Sequence, residues 1–211
     1  MIKISLKGLA KFMTASPAGQ RKVLRDFKYP DPEGNAQAIY YRESRDFITA
    51  YHANSHSEQW LVERANDLAN LARLATGRTV TRLEHNARAI RQYAGFFGNK
   101  VFGVLDEIEM ELRYESVRIT VNPELHVCER GREKIIKLEF SAQEPEAKIV
   151  KIISQTMFEA ASNKGLNLPS SGVLYFDTPR GQIYNGARAG SRMCREIQAA
   201  CENIAALWDN I

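Results

Sequence analysis

Only three of the 211 residues are cysteine, at positions 128, 194 and 201. An odd number at wide spacing argues against a disulfide framework, and close cysteine pairs of the kind zinc sites use are missing. Cys194 and Cys201 lie seven apart on a helical pattern and share a face, which suits small buried thiols in a reducing compartment. No apolar run approaches the ~18–20 residues that span a bilayer. The N-terminus, Met1 to Lys11, alternates Lys with apolar residues and lacks the apolar stretch of a signal peptide. A cytoplasmic protein without a membrane partner is the expectation. Gly-rich phosphate loops of the Walker or Rossmann form are missing too. The three glycines between Gly181 and Gly190 follow a turn and lack a Gly-Lys-Ser/Thr ending. Ser170-Ser171 has no nucleophile-elbow context. There is no internal repeat and no low-complexity segment.

What is present is ordinary in amount and uneven in placement. Apolar residues make up 44% and charged residues 26%, as in soluble globular proteins. The length suits one large domain or two small ones. Residues 1–100 hold 16 Lys or Arg against 9 Asp or Glu, a balance of +7. Residues 101–211 hold 13 against 16, a balance of −3. A basic half suits nucleic acid, because Lys and Arg release counterions from phosphate; a solvated surface of basic helices explains the charge equally well.

The first hundred residues read as a basic helical region. Ser5 is placed to cap a short helix through Leu6, Leu9, Phe12 and Met13, and Ser16-Pro17 is a second start signal. Tyr29-Pro-Asp-Pro-Glu-Gly34 is a break. A further helix is expected from about Ala36 to Ala53. The next begins between Ser55 and Ser57, with Ser55 and Glu58 matching a capping box, and ends at Gly77. Its stripe is Leu61, Ala65, Leu68, Ala72 and Ala75. A fourth runs from Thr79 or Thr81 to Phe97. Residues 101–211 read as a separate α/β core or as one domain continuous with the helices. A short helix is expected from Val101. The period then becomes two: Val117, Ile119, Val121, Leu125 and Val127 share one phase, and Glu129-Arg-Gly131 turns the chain. Ile136, Leu138 and Phe140 then alternate with Ile135, Lys137 and Glu139. A helix from about Pro145 to Lys164, a strand at Val173–Phe176, a turn at Asp177–Gly181, a return strand and a helix from Ser191 complete the chain. The fold class is α+β or α/β: a helical N-terminal half, then a small mixed sheet flanked by helices.

Glu124, Lys137 and Glu139 all fall in the polar phase of the hairpin. Side chains two apart on a strand share a face, and the partner strand can place a third group opposite. Two carboxylates and a lysine in that layout suit metal-dependent phosphodiester cleavage. The acids hold Mg²⁺ or Mn²⁺, and the lysine acts on water or on phosphate charge.

Val121-Asn-Pro-Glu-Leu-His-Val127, a Gly turn and Lys134-Ile-Ile-Lys-Leu-Glu139 together resemble the hairpin of the PD-(D/E)XK nuclease superfamily, RecB-like branch. Pro123-Glu124 takes the place of Pro-Asp and Lys137 that of the motif lysine. Gln155 stands where the family often starts a Gln-x-x-x-Tyr motif. Ile4-Ser5, Leu9, Phe12 and Ser16-Pro17 are similar to the opening of RecB-like domains. The resemblance implies a restriction-endonuclease-like core, Glu124 and Glu139 as metal ligands, catalysis by Glu124, Lys137 and Glu139, and a role in bacterial defence or DNA repair. The motif is degenerate. Ile135 replaces the acid two before the lysine, with Glu139 or Glu133 as substitutes. Glu159 stands where Tyr is expected, and Ser16 replaces a Cys that in some members binds an iron–sulfur cluster.

Arg21, Lys22, Arg25 and Lys28 form the densest basic stretch, beside Phe27 and Tyr29, a mixture that suits single-stranded nucleic acid. Arg180 and Arg188 flank the second turn and suit phosphate. Asp177 reads as a turn starter, Gln155 as an exposed helix residue, and His52 and His56 as loop residues despite their ligand-like spacing. Two functions follow. One is a DNA- or RNA-binding protein with a nuclease-like core, either active with Mg²⁺ or Mn²⁺ or inactive. The other is a non-catalytic interaction subunit that docks a protein partner or a second copy of itself, which Ile135 favours.

Overall fold

The computed structural model describes residues 1–30, 39–100, 102–141, 143–186 and 190–211. Strand β1 (Ile2–Ser5) opens the chain, with Ile2 and Ile4 turned inward. Ser5 ends β1 and caps helix α1 (Leu6–Thr14), its hydroxyl accepting from the Gly8 amide at 3.1 Å. Ser16 caps α2 (Pro17–Lys28) in the same way, with Pro17 in the first turn. Gly8 lets the two helices close on each other, because a Cβ there would sit 2.3 Å from the Phe27 ring.

Helices α3 (Arg42–Ala53), α4 (Glu58–Leu74) and α5 (Arg78–Phe97) follow. Ser57 caps α4, donating no part to a capping box; its hydroxyl accepts from the Trp60 amide. Ser55, the other expected cap, instead takes a left-handed turn at φ +51°. Gly77 does not end α4. It stands three residues beyond Leu74, at φ +61°, as the N-cap of α5. Asp31 to Ala38, which hold most of the Pro/Gly break and the expected start of α3, lie outside the described residues.

The expected helix after Val101 is instead a strand, β2 (Gly103–Val104), along the edge of β5 (Leu125–Glu129). Val101 itself lies outside the described residues. Strands β3 (Met110–Tyr114) and β4 (Val117–Val121) form one hairpin, and β5 and β6 (Arg132–Glu139) form another. Arg130 and Gly131 make the two-residue turn of the second, at φ +51° and +75°. Positive φ at both central residues matches the twist of a tight hairpin. Helix α6 (Ala147–Asn163) crosses over to β7 (Val173–Asp177), which runs parallel to β6; β8 (Gln182–Asn185) and α7 (Ser191–Trp208) close the chain.

The class is α+β with two mixed sheets, ordered β1-β4-β3 and β2-β5-β6-β7-β8. The shared phase of Val121 and Leu125 does not carry one strand across Pro123. Pro lacks the amide a ladder needs, so β4 ends in the first sheet and β5 begins in the second. β1 lies within the region expected to be helical, yet it pairs in parallel with β4, more than a hundred residues away.

Two apolar cores result. The first joins α1, α2, α6 and α7 to the inner face of β1, β3 and β4 and to Ile135, Val173 and Tyr175. The second joins α3, α4 and α5 to the opposite face of the larger sheet, through Leu125, Val127, Ile136, Leu138, Leu174 and Phe176. Each core draws on residues from both halves of the chain. No helix among the described residues is long and apolar enough to cross a membrane.

Candidate functional site

Because both faces of the larger sheet are covered, the polar phase of β6 is interior. Ile135 is fully buried, and Glu139 is only 3% exposed. A buried carboxylate needs a cation and donors to remain charged, and each acid on this face has found its own.

Glu124 stands at the entrance to β5, where its amide donates to the Ile136 carbonyl at 3.0 Å. One carboxylate oxygen takes the Lys137 ammonium at 2.6 Å, and the other takes the Leu138 amide at 2.8 Å. Lys137 also reaches the Asn122 carbonyl at 3.3 Å. Sequence pairing of Glu124 with Lys137 is therefore realised in space.

Glu139 ends β6 and belongs to a different set of contacts. Its Oε1 accepts from Lys7 of α1 at 2.7 Å and from the Phe140 and Ser141 amides at 2.9 Å each. Its Oε2 accepts from the Tyr175 hydroxyl at 2.9 Å. Burial alone would raise the pKa of Glu139. The Lys7 charge, with hydrogen bonds from Lys7, Tyr175 and the Ser141 amide, outweighs it and holds the carboxyl below its ordinary value. Burial, then the adjacent Glu139 carboxylate, pushes the Tyr175 phenol up, so it is a neutral donor.

Across the parallel ladder, Glu139 is in register with Asp177, the last residue of β7. Asp177 is fully buried, and Arg180 Nη1 reaches its two oxygens at 3.0 and 3.2 Å. Burial raises the Asp177 pKa, Arg180 opposes this, and the charge of Glu139 adds to the rise. Two carboxylates at the carboxyl ends of neighbouring parallel strands, pushed in opposite directions, mark the place where open α/β sheets tend to carry their chemistry. Lys7, Tyr175 and Asp177 were not among the residues the hairpin motif points to. Asp177 had a signal, as the acid closing an apolar strand. Lys7 had none, because its contact lies 132 residues away.

The remaining candidates fall elsewhere. Glu133, the other substitute for the missing acid, lies 2.6 Å from His126 Nε2. Gln155 is buried and not exposed; it donates to Glu159 at 2.7 Å and to Cys194 Sγ at 3.4 Å, which joins α6 to α7. His52 is not a loop residue: it lies in the last turn of α3, buried, with Nε2 2.7 Å from the Tyr93 hydroxyl. Burial pushes its pKa down to about 4. His56 stacks on Trp60 with ring centroids 4.1 Å apart.

Of the basic stretch on α2, Arg21, Lys22 and Arg25 are exposed, and Lys22 pairs with Asp26 at 3.0 Å. Lys28 does structural duty. It donates to the carbonyls of Trp208 and Ile211 at 2.8 and 3.1 Å, tying α2 to the end of α7. Arg188 lies outside the described residues.

The donors do not fit a Mg²⁺ centre as they stand. Such a centre wants oxygens converging on one point, whereas Glu124 and Glu139 each turn to a separate lysine and to peptide amides. Among the described residues, no group of three or more His, Cys, Asp or Glu is placed to hold a metal ion. Compared with known proteins, the chain matches no protein-family model and no curated protein.

Proposed function

We propose that this chain is a nucleic-acid-binding protein with a nuclease-like core that holds its target without cutting it. One observation carries the reading: the two carboxylates of the hairpin motif, Glu124 and Glu139, are each neutralised by a lysine and capped by peptide amides. Lys137, the motif lysine, is the partner of Glu124 and so is committed to an ion pair. The basic N-terminal half, with Arg21, Lys22 and Arg25 exposed on α2, supports a polyanionic target. Arg180, at the carboxyl edge of the larger sheet, is engaged by Asp177.

The test uses the full chain with labelled single- and double-stranded DNA and RNA over a range of salt. Affinity is expected to fall steadily as salt rises, with no cleavage in Mg²⁺ or Mn²⁺. Metal-dependent cleavage that disappears in Lys137→Ala would show an active nuclease. Absence of binding to any of the four targets at low salt would sink the nucleic-acid reading.

A second reading, a non-catalytic subunit that docks a protein partner or another copy of the chain, has its own observation. Leu71 and Leu74 at the end of α4 are 53% and 84% exposed. Size-exclusion chromatography with light scattering separates it: a dimer that Leu74→Lys dissociates supports this reading over the first.

A further inference from the structure

We infer that the chain carries a pocket for a single phosphoryl group, lined by Tyr41, His85, Arg88 and Arg180 beside the carboxyl edge of the larger sheet. The cavity measures about 230 Å³, and Ala89 and Pro179 complete its wall. Every polar group in the lining is a cation or a hydrogen-bond donor in at least one form, and none is a carboxylate. Four other clefts in the described structure each include at least one acid: Glu111, Glu58, Glu124 or Glu129. This one alone among the five is built for an anion.

The groups are positioned by three different elements. His85 and Arg88 are one turn apart on α5 and share a face. The Tyr40 hydroxyl lies 3.0 Å from His85 Nδ1 and orients the imidazole. Arg180 comes from the turn after β7, where Asp177 holds its Nη1. The Tyr41 ring is stacked on Phe140, with centroids 5.0 Å apart and planes 20° apart. Burial raises the Tyr41 phenol above its ordinary pKa, which keeps it a proton donor; Arg88 pulls the other way and Glu139 reinforces the rise. The pocket therefore adjoins the Glu139 and Asp177 pair electrostatically.

Size and charge define the ligand. Pockets for whole small molecules run from roughly 300 to 1,000 Å³, so this one suits a group and not a complete nucleotide. Guanidinium forks match phosphate oxygens two at a time. A phosphate monoester carries about −1.5 to −2 charge at neutral pH, whereas a phosphodiester in a chain carries one. A monoester also presents three terminal oxygens to the Arg88, Arg180, His85 and Tyr41 donors, whereas a diester in a chain presents two. The pocket therefore favours the monoester: the phosphorylated end of a nucleic acid, or a small free phosphate compound. The choice of a nucleic-acid end rests on the function proposed above.

Fluorescence anisotropy of the full chain tests this, with oligonucleotides ending in 5′-phosphate, 3′-phosphate or hydroxyl, and with inorganic phosphate and a nucleoside monophosphate as competitors. One phosphorylated end should bind about tenfold tighter than the hydroxyl end. Arg88→Gln should erase that preference and leave hydroxyl-ended binding unchanged, while Arg118→Gln on the smaller sheet should keep it. Tyr41→Phe, which retains the stacked ring, should reduce the preference in part and serves if Arg88→Gln melts early. Equal binding of all ends, or a preference that survives Arg88→Gln and Tyr41→Phe, overturns the pocket and leaves the nucleic-acid reading intact. Direct calorimetric binding of inorganic phosphate or the nucleoside monophosphate that Arg88→Gln abolishes, without oligonucleotide binding, keeps the pocket and overturns the nucleic-acid reading.

Discussion

The two sheets treat charge in opposite ways. In the smaller sheet the outward row across β1, β4 and β3 is Lys3, Arg118 and Arg113, three cations in register. Like charges opposite one another are unfavourable, but this face meets solvent, and Glu111 from the next row bridges Arg113 and Arg118. In the larger sheet the corresponding face is closed under helices, and Glu139, Tyr175 and Asp177 are all buried there. Water tolerates an imperfect arrangement on the first sheet. On the second each ionised group requires a specific partner, and Lys7, Lys137 and Arg180 supply them. Charges that look alike as strand alternation differ in what they demand of the rest of the chain.

The largest expected effect follows from breaking the buried set. Glu139→Ala leaves the Tyr175 hydroxyl and two amides without an acceptor and should lower stability by about 3 kcal/mol, read from the midpoint of a urea melt. An effect under about 1 kcal/mol would mean water enters the site and the two sheets are alike. A similar contrast holds in the helical layer, where His52 is buried against Tyr93. Its folded pKa, about 4, lies below the ordinary 6.5, so between those values the unfolded chain binds the extra proton. Stability should fall as pH drops from 6.5 towards about 4, by on the order of 3 kcal/mol in total. His52→Gln should flatten that slope in melts run across the range.

Glu139 and Asp177 add terms of opposite sign at lower pH. The depressed pKa of Glu139 stabilises the fold above its unfolded value of 4.5, and that contribution is lost as pH falls through the folded pKa. The raised pKa of Asp177 works the other way, with stability falling as pH rises from 3.8 through its folded pKa. Tyr175→Phe removes one hydrogen bond without a cavity and should cost about 1 kcal/mol. The smallest effect is expected on the open sheet: Glu111→Ala should change stability by roughly 0.5 kcal/mol or less. A loss in Glu111→Ala equal to that of Glu139→Ala would remove the distinction between the sheets.

The helices were legible because their signals are local. Ser5, Ser16 with Pro17, and the apolar stripes of α4 to α7 are readable within a few turns of chain. The β5–β6 turn was legible for the same reason, and Glu124 and Lys137 sit close enough across it for register to bring them together. Ser55 and Ser57 show the limit of such reading. Both satisfy cap chemistry, and Ser57 holds the position because the preceding turn uses Ser55 at φ +51°. Gln155 reads as exposed because it shares a helix face with Lys148 and Glu159, and His52 reads as a loop residue because Asn54-Ser55 breaks the helix just beyond it. Whether a residue is buried depends on what packs over it: α7 covers Gln155, and Tyr93 with Phe102 covers His52.

Periodicity, caps and turns in the sequence thus determined which segments are helix and which are strand over most of the chain, along with the pairing of Glu124 and Lys137. Tertiary structure alone decided that there are two sheets, that β1 joins β4, and that Glu139 turns away from the hairpin motif to Lys7. The reason is range. Hydrogen bonds along a helix or across a two-residue turn are written in adjacent residues, whereas the partner of a buried charge is chosen by whichever distant element closes over it.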